Sequence, residues 1–176
     1  IEARILRCAE ACELNGAVEV QIPQDEKQRR DLWETRRRAN PTLTQMHARK
    51  IPEDIVVPRG AIPEMLRRAD EISAATGIAM ATYGHAGDGN LHVNLLVDTP
   101  REDLEAEAHV TEALERVFRA TLDLGGTLAG EHGVGLLKQR FLAWEQSPSL
   151  LRLQRQLKRV FDPDDLLNPG KILPSP

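Results

Sequence analysis

Residues 78–97 read IAMATYGHAGDGNLHVNLLV, and their alternation decides how the chain folds. Leu91, Val93, Leu95 and Val97 fall on one face of an extended segment, and His92 and Asn94 fall on the other, the period-two pattern of a strand with one apolar face. Residues 78–84 form a second such run, and the glycine-containing stretch between the two predicts a hairpin. Upstream, residues 54–58 (DIVVP) read as a short strand. Residues 62–76 read as an amphipathic helix with Pro63 in its first turn and Gly77 at its end. Downstream, residues 101–124 carry the longest helical pattern, with Leu104, Ala108, Leu114, Val117, Phe118 and Leu122 on its apolar side and Gly125-Gly126 as a stop. Strand, helix, strand, strand, helix is most of the split βαβ order. The expected class is α+β: an antiparallel sheet with helices packed on one face, a ferredoxin-like core, and C-terminal helices at 136–145 and 148–161.

Outside that core, residues 1–15 show a helical stripe of Ile1, Ile5, Cys8, Ala9 and Cys12, ended by Asn15-Gly16. Residues 17–22 (AVEVQI) alternate like a half-buried strand. Asp25 is placed to cap a polar helix running to about Ala39, for which Trp33 is the natural anchor, with Arg36 near the same side. Residues 40–52 keep no period and read as a loop or extended arm, and the tail FDPDDLLNPGKIL reads as turns.

The bulk properties narrow the class. A chain of 176 residues suits one domain, able to bury roughly 70% of its unfolded surface. Aromatics make up only 3%, so the core must be aliphatic. A net charge of −4 argues against nucleic-acid binding, which would need a basic patch. Arg29, Arg30, Arg36, Arg37 and Arg38 do cluster, but Asp25, Glu26, Asp31 and Glu34 balance them as on a solvated helix face. Cys8 and Cys12 share a helical face and read as small apolar core residues in a reduced compartment. No apolar run reaches the length of a membrane span, and the N-terminus lacks signal-peptide order. The chain opens in helical pattern without Met, as a piece of something longer would.

Chemistry concentrates in two segments. His85 and His92 flank a glycine-containing turn, and the missing side chains of Gly84, Gly87 and Gly89 around them let a ligand approach. Glu131-His132 sits in TLAGEHGVG, between two helical patterns, as a functional loop would. If the segments meet, two imidazoles and a carboxylate make a three-ligand metal site with open positions. His132 would then project to the other side of the loop, available to take a proton. Such a site would polarise a hydroxyl and hold a neighbouring carboxylate, with Arg36 as a bidentate partner for that carboxylate, which implies a small 2-hydroxy acid. Against this stand plain alternatives: histidines serving only as hydrogen-bonded strand residues, and Glu131 serving only as a favourable charge at a helix N-terminus.

GHAGDGNLHVN, GEHGVG and FDPDDLLNPGKIL, with LWETRR and KIPEDIVVPR, together resemble the C-terminal domain of FAD-linked oxidases over essentially the whole chain. That family includes glycolate oxidase flavin subunits, D-lactate dehydrogenases and D-2-hydroxyglutarate dehydrogenases. The resemblance implies that residues 1–176 are the cap and substrate domain of a larger enzyme whose separate domain holds FAD. It implies His85, His92 and Glu131 as ligands of a divalent ion such as zinc, manganese or iron. It implies His132 as the base that removes the hydroxyl proton while hydride passes to the flavin, Asn94 as a substrate contact and Arg36 as the carboxylate-binding arginine. Asn40 stands where the hydroxyglutarate enzymes carry a substrate-contacting threonine, and Lys50 lies near their second cationic contact. These departures favour a shorter acid, glycolate or lactate. Asn168 and Lys171 would lie near the flavin, the alternative being a turn with a solvated lysine.

No GxGxxG dinucleotide fingerprint occurs, so the chain alone is expected to bind no FAD tightly and to turn over no 2-hydroxy acid. Expected partners are the FAD-binding domain, the substrate and further oxidase subunits or an electron acceptor, without nucleic acid or a membrane span. The expected location is cytoplasmic, reaching the inner membrane only through partners. A free-standing metal-dependent hydrolase and a non-catalytic binding module are the competing readings, since the same residues could activate water or merely bind.

Overall fold

The alternation at residues 78–97 folds as expected in the computed structural model, which describes residues 2–173. β2 (Ala79–His85) and β3 (Asn90–Val97) pair antiparallel, with Tyr83 opposite His92. β1 (Arg49–Val56) pairs antiparallel with the other edge of β3, with Asp54 opposite His92, giving the order β1-β3-β2. Directly opposed residues share a face, so Asp54, His92 and Tyr83 project together and Ile55 projects with Leu91. α3 (Ile62–Thr76) joins β1 to β2, which completes the split βαβ unit, and α4 (Leu104–Asp123) follows the hairpin. The α+β class holds.

The core forms where α3 and α4 cover the aliphatic face of the sheet. Ile55, Val93 and Leu95 join Met65, Val117 and Phe118 there, each completely buried. Burying one such side chain contributes about 1.5–3 kcal/mol. α3 has the expected bounds, with Pro63 in its first turn and Gly77 closing it at φ 70°. Asp103 caps α4 by accepting from the Ala106 N–H at 3.0 Å, and Leu104, expected on the apolar side, is exposed. Beyond α4, the expected helix at 136–145 shortens to a 3₁₀ turn at Gln139–Phe141 and α5 (Leu142–Glu145), while α6 (Pro148–Phe161) keeps its expected bounds.

The chain divides into two compact units, Ile1–Met46 and His47–Pro176. The first holds α1 (Glu2–Leu14) and α2 (Glu26–Met46). Ile1 lies outside the described residues. Asp25 caps α2 as expected, accepting from the Gln28 N–H at 2.7 Å. The basic cluster is largely a solvated face: Arg29 pairs with Glu26, and Arg37 and Arg38 both pair with Glu34.

Cys8 and Cys12, expected in the core, are exposed, and four further expectations fail here, each for a local reason. Residues 17–22 form no strand, because no described strand lies alongside to complete a ladder, and Val18 is fully exposed. α2 runs through Pro41 to Met46, giving up one backbone hydrogen bond where a loop was expected. Trp33, expected to anchor this helix, is 57% exposed. β1 begins five residues early, at Arg49, because Pro52 sits on an edge strand that tolerates a missing donor.

Gly89 seats the hairpin turn against the segment after β1. Its φ is +83°, a Cβ there would lie 2.0 Å from the Val57 carbonyl oxygen, and its own carbonyl accepts from the Val57 N–H at 3.0 Å. Gly89→Ala is expected to cost about 1–3 kcal/mol from strain and overlap. A urea midpoint equal to that of the unsubstituted chain would show that the turn yields freely.

Candidate functional site

The polar face of β3 is where the two histidine-bearing segments meet the loop after α4. His92, 8% exposed, lies between its neighbours: the His85 ring is edge-on at 5.6 Å between centroids, and the His132 ring is stacked at 5.4 Å. His92 Nε2 stands 3.3 Å from Glu131 Oε1. One ligand atom each from His85, His92 and Glu131 lie within 4.8 Å of one another. Donors held at 2.0–2.2 Å from one ion sit roughly 3–4 Å apart, so small side-chain adjustments would close this set around a cation. Burial lowers the His92 pKa, against the opposing charges of Asp54 and Glu131, which favours the neutral imidazole that metal binding requires.

Asp54, His92 and His132 form a second group of the same size. Its carboxylate is already occupied. Asp54 Oδ2 accepts from three successive backbone N–H groups, Gly130 at 2.9 Å, Glu131 at 2.7 Å and His132 at 2.9 Å. Oδ1 accepts from Asn90 Nδ2 at 2.6 Å. Burial would raise the Asp54 pKa, but the His132, Asn90 and Glu131 hydrogen bonds and the Lys138 charge outweigh it, and the net direction is down. The set with His85 and Glu131 is therefore the better cation site.

The loop reaches this face by closing the open edge of β1. Thr127 and Val56 exchange backbone hydrogen bonds at 2.9 and 3.0 Å. Gly126 and Gly130 allow the approach, since a Cβ would lie 2.2 Å from the Val56 carbonyl oxygen at one and 2.2 Å from Asn90 Nδ2 at the other. Glu145 on α5 accepts from the Thr127 hydroxyl at 2.6 Å and the Leu128 N–H at 3.1 Å. Lys138 donates to the Leu128 carbonyl at 2.6 Å and to the Asp54 carbonyl. It also stands 3.5 Å from Glu53, which points to the core side of β1.

The expected site residues fall as follows. His85, His92, Glu131 and His132 come together. His132 does not project to the other side of its loop, because the amide grip on Asp54 turns it onto His92; its side chain stays 56% exposed, with Nε2 3.9 Å from Glu131 Oε1. Asn94 is fully buried, its Nδ2 donating to the Ala81 carbonyl at 2.9 Å and the His92 carbonyl at 3.0 Å, with no hydrogen-bond partner in the structure for Oδ1. Lys50 shares the His92 face of the sheet, about 13 Å along β1 from Asp54. Arg36 and Asn40 lie one turn apart on α2, in the first unit. Asn168 and Lys171 form a turn in which Lys171 donates to Asn168 Oδ1 at 3.1 Å. That tail is fastened to the site loop: Ile172 N–H donates to the Gly135 carbonyl at 2.9 Å, and Gln139 Nε2 donates to the Gly170 and Leu173 carbonyls at 3.0 and 2.6 Å. Asp162, in the same motif, is structural, accepting from the Leu166 and Leu167 N–H groups and pairing with Lys158.

Sequence reading missed Asp54, Asn90, Glu53 and Lys138. A signal for the first and third existed: EDIVV sets two acids against an apolar run, an unusual start for a strand bound for the core.

Comparison with known proteins adds the lineage of the motifs. A family model described as "FAD linked oxidases, C-terminal domain" matches residues 1–172. The chain is 39% identical over 161 residues to the glycolate oxidase subunit GlcD of Bacillus subtilis, covering 92% of this chain and 34% of that protein. It is 32% identical over 157 residues to a D-lactate dehydrogenase of Anaerostipes hadrus, covering 89% and 33%. It is also 32% identical over 153 residues to a D-2-hydroxyglutarate dehydrogenase of Stutzerimonas stutzeri, covering 86% and 32%. The chain thus spans about a third of the length of these curated relatives.

Proposed function

The chain belongs to the C-terminal domain family of FAD-linked oxidases, and from that premise we propose that it is the substrate- and metal-binding part of an FAD-dependent 2-hydroxy acid oxidoreductase. The substrate proposed is a short acid of the glycolate or D-lactate type. One observation carries the reading: two imidazoles and a carboxylate converge within 4.8 Å beside a third, solvent-accessible imidazole.

His85, His92 and Glu131 would hold a divalent ion, which when bound supplies Lewis acidity toward a hydroxyl and a carboxylate. FAD, held mainly by a domain outside this chain, supplies the acceptor for the hydride from the substrate's C2. The chain's own residues divide the remaining work. His132 accepts the hydroxyl proton on a ring nitrogen and is supported by its place beside the ligand set without belonging to it. Asn94 is assigned a substrate contact, supported by the motif match and by a buried Oδ1 that lacks a hydrogen-bond partner. For Arg36, assigned the substrate carboxylate, the support is the motif match; Asn40 and Lys50, assigned its flanking polar contacts, stand at or near the family's contact positions but depart from its pattern there. Asn168 and Lys171 are assigned to the flavin side, supported by the tail motif and by its attachment to the loop bearing His132.

The test is metal retention. After equilibration with Mn²⁺ or Zn²⁺ and dialysis, the chain should hold about one equivalent, and His85→Ala or Glu131→Gln should weaken binding at least about tenfold. A chain that retains no divalent ion, or variants that retain it unchanged, would overturn the proposal.

A further inference from the structure

We propose that Asp54 is the positioning residue of this site, setting Glu131 and His132 against His92; its consequence for metal rests on the reading above. Asp54 is 1% exposed, whereas the Glu131 and His132 side chains are 53% and 56% exposed. The loop therefore offers wet side chains on a backbone fixed from below. Three consecutive amides on one carboxylate oxygen fix the loop at three successive residues, more than any single hydrogen bond could.

Asp54 also lies directly opposite His92 across the β1–β3 ladder. One side chain thus sets the separation between the ligand on the strand and the ligand on the loop. Its Oδ1 is 3.9 Å from His92 Nδ1, too far for a hydrogen bond, so its hold on the site runs through the loop backbone. Asn90 keeps the carboxylate turned, and Gly130 presses against it: a Cβ at Gly130 would lie 2.8 Å from Asp54 Oδ1. A negative charge beneath three N–H dipoles is the charge-assisted arrangement that strengthens such bonds.

The experiment measures hydrogen exchange at amides 130–132 and Mn²⁺ affinity in the same preparations of the full chain. Without substitution, the three amides should be protected although their side chains are wet. Asp54→Ala should speed their exchange at least about tenfold and weaken Mn²⁺ binding about 10- to 100-fold, the range for lost supporting contacts, while amides of α3 and α4 keep their protection. Asp54→Asn, which keeps one acceptor oxygen, should fall between the two. Gly130→Ala should reproduce the loss from the loop side, and these two variants carry the test should Asp54→Ala fail to fold. Exchange at 130–132 that is unchanged in Asp54→Asn and Gly130→Ala overturns the proposal. So does complete loss of Mn²⁺ in Asp54→Asn with the amides still protected, which would make Asp54 a ligand. If the unsubstituted chain binds no Mn²⁺, the metal reading fails while exchange still decides the role of Asp54.

Discussion

Replacing His132 with alanine in the intact flavoprotein is expected to slow substrate-dependent flavin reduction about 10²- to 10⁴-fold, the contribution of a positioned general base. Metal content should not change. The two readouts separate because the geometry separates the roles. His132 stacks beside His92, while the converging donors come from His85, His92 and Glu131. Alanine at 132 removes a proton acceptor and leaves that donor set intact, and the Asp54 grip survives because it uses the backbone N–H. With a side chain 56% exposed, little packing is lost, so the fold should survive as well. Flavin reduction followed by absorbance, with metal analysis of the same sample, checks the prediction. A rate within a few-fold of the unsubstituted enzyme would remove His132 from the chemistry, and parallel loss of metal would make it a ligand.

A second large effect is expected in the core. Glu53 and Lys138 are 1% and 6% exposed, and burial drives the Glu53 pKa up and the Lys138 pKa down, each restrained by the other's charge. Lys138→Met should cost about 3–5 kcal/mol at pH 7, because it strands a carboxylate in the core. It also takes the ammonium from the Asp54 and Leu128 carbonyls. The pH dependence has a definite sign. In the variant the folded pKa of Glu53 stands further above its unfolded value, since the restraining cation is gone. The protonated form is then the one the fold accepts: its contribution is fully present below the ordinary carboxyl value of 4.5 and is lost as pH rises through the folded pKa. The deficit against the unsubstituted chain should therefore shrink as pH is lowered from 7 toward 4.5, and Glu53→Gln added to Lys138→Met should recover part of it at pH 7. Urea titrations at several pH values measure both, and a deficit below about 1 kcal/mol at pH 7 would contradict the argument.

How much of this was legible follows from how local each determinant is. The β2–β3 hairpin is written in its own alternation and turn glycines, and α3 in Pro63 and Gly77, so both fall where the pattern puts them. Residues 17–22 alternate just as well and form nothing, because a strand exists only with a neighbour and that information lies elsewhere in the chain. The convergence of His85, His92 and Glu131 could be anticipated from chemically distinctive residues among glycines. What holds them could not. Asp54 meets partners 76 to 78 residues away through their backbone amides, and Lys138 works through carbonyls and a carboxylate 10 to 85 positions away, contacts that leave no spacing to read.

The fastening of the tail sets a rule for anyone building with this protein. Because the Ile172 N–H and the Gly170 and Leu173 carbonyls are tied to Gly135 and Gln139, residues 170–173 brace the loop that carries His132. A truncation at Asn168, or a purification handle joined close behind Leu173, would unfasten or tug that brace and could pass for damage to the chemistry itself.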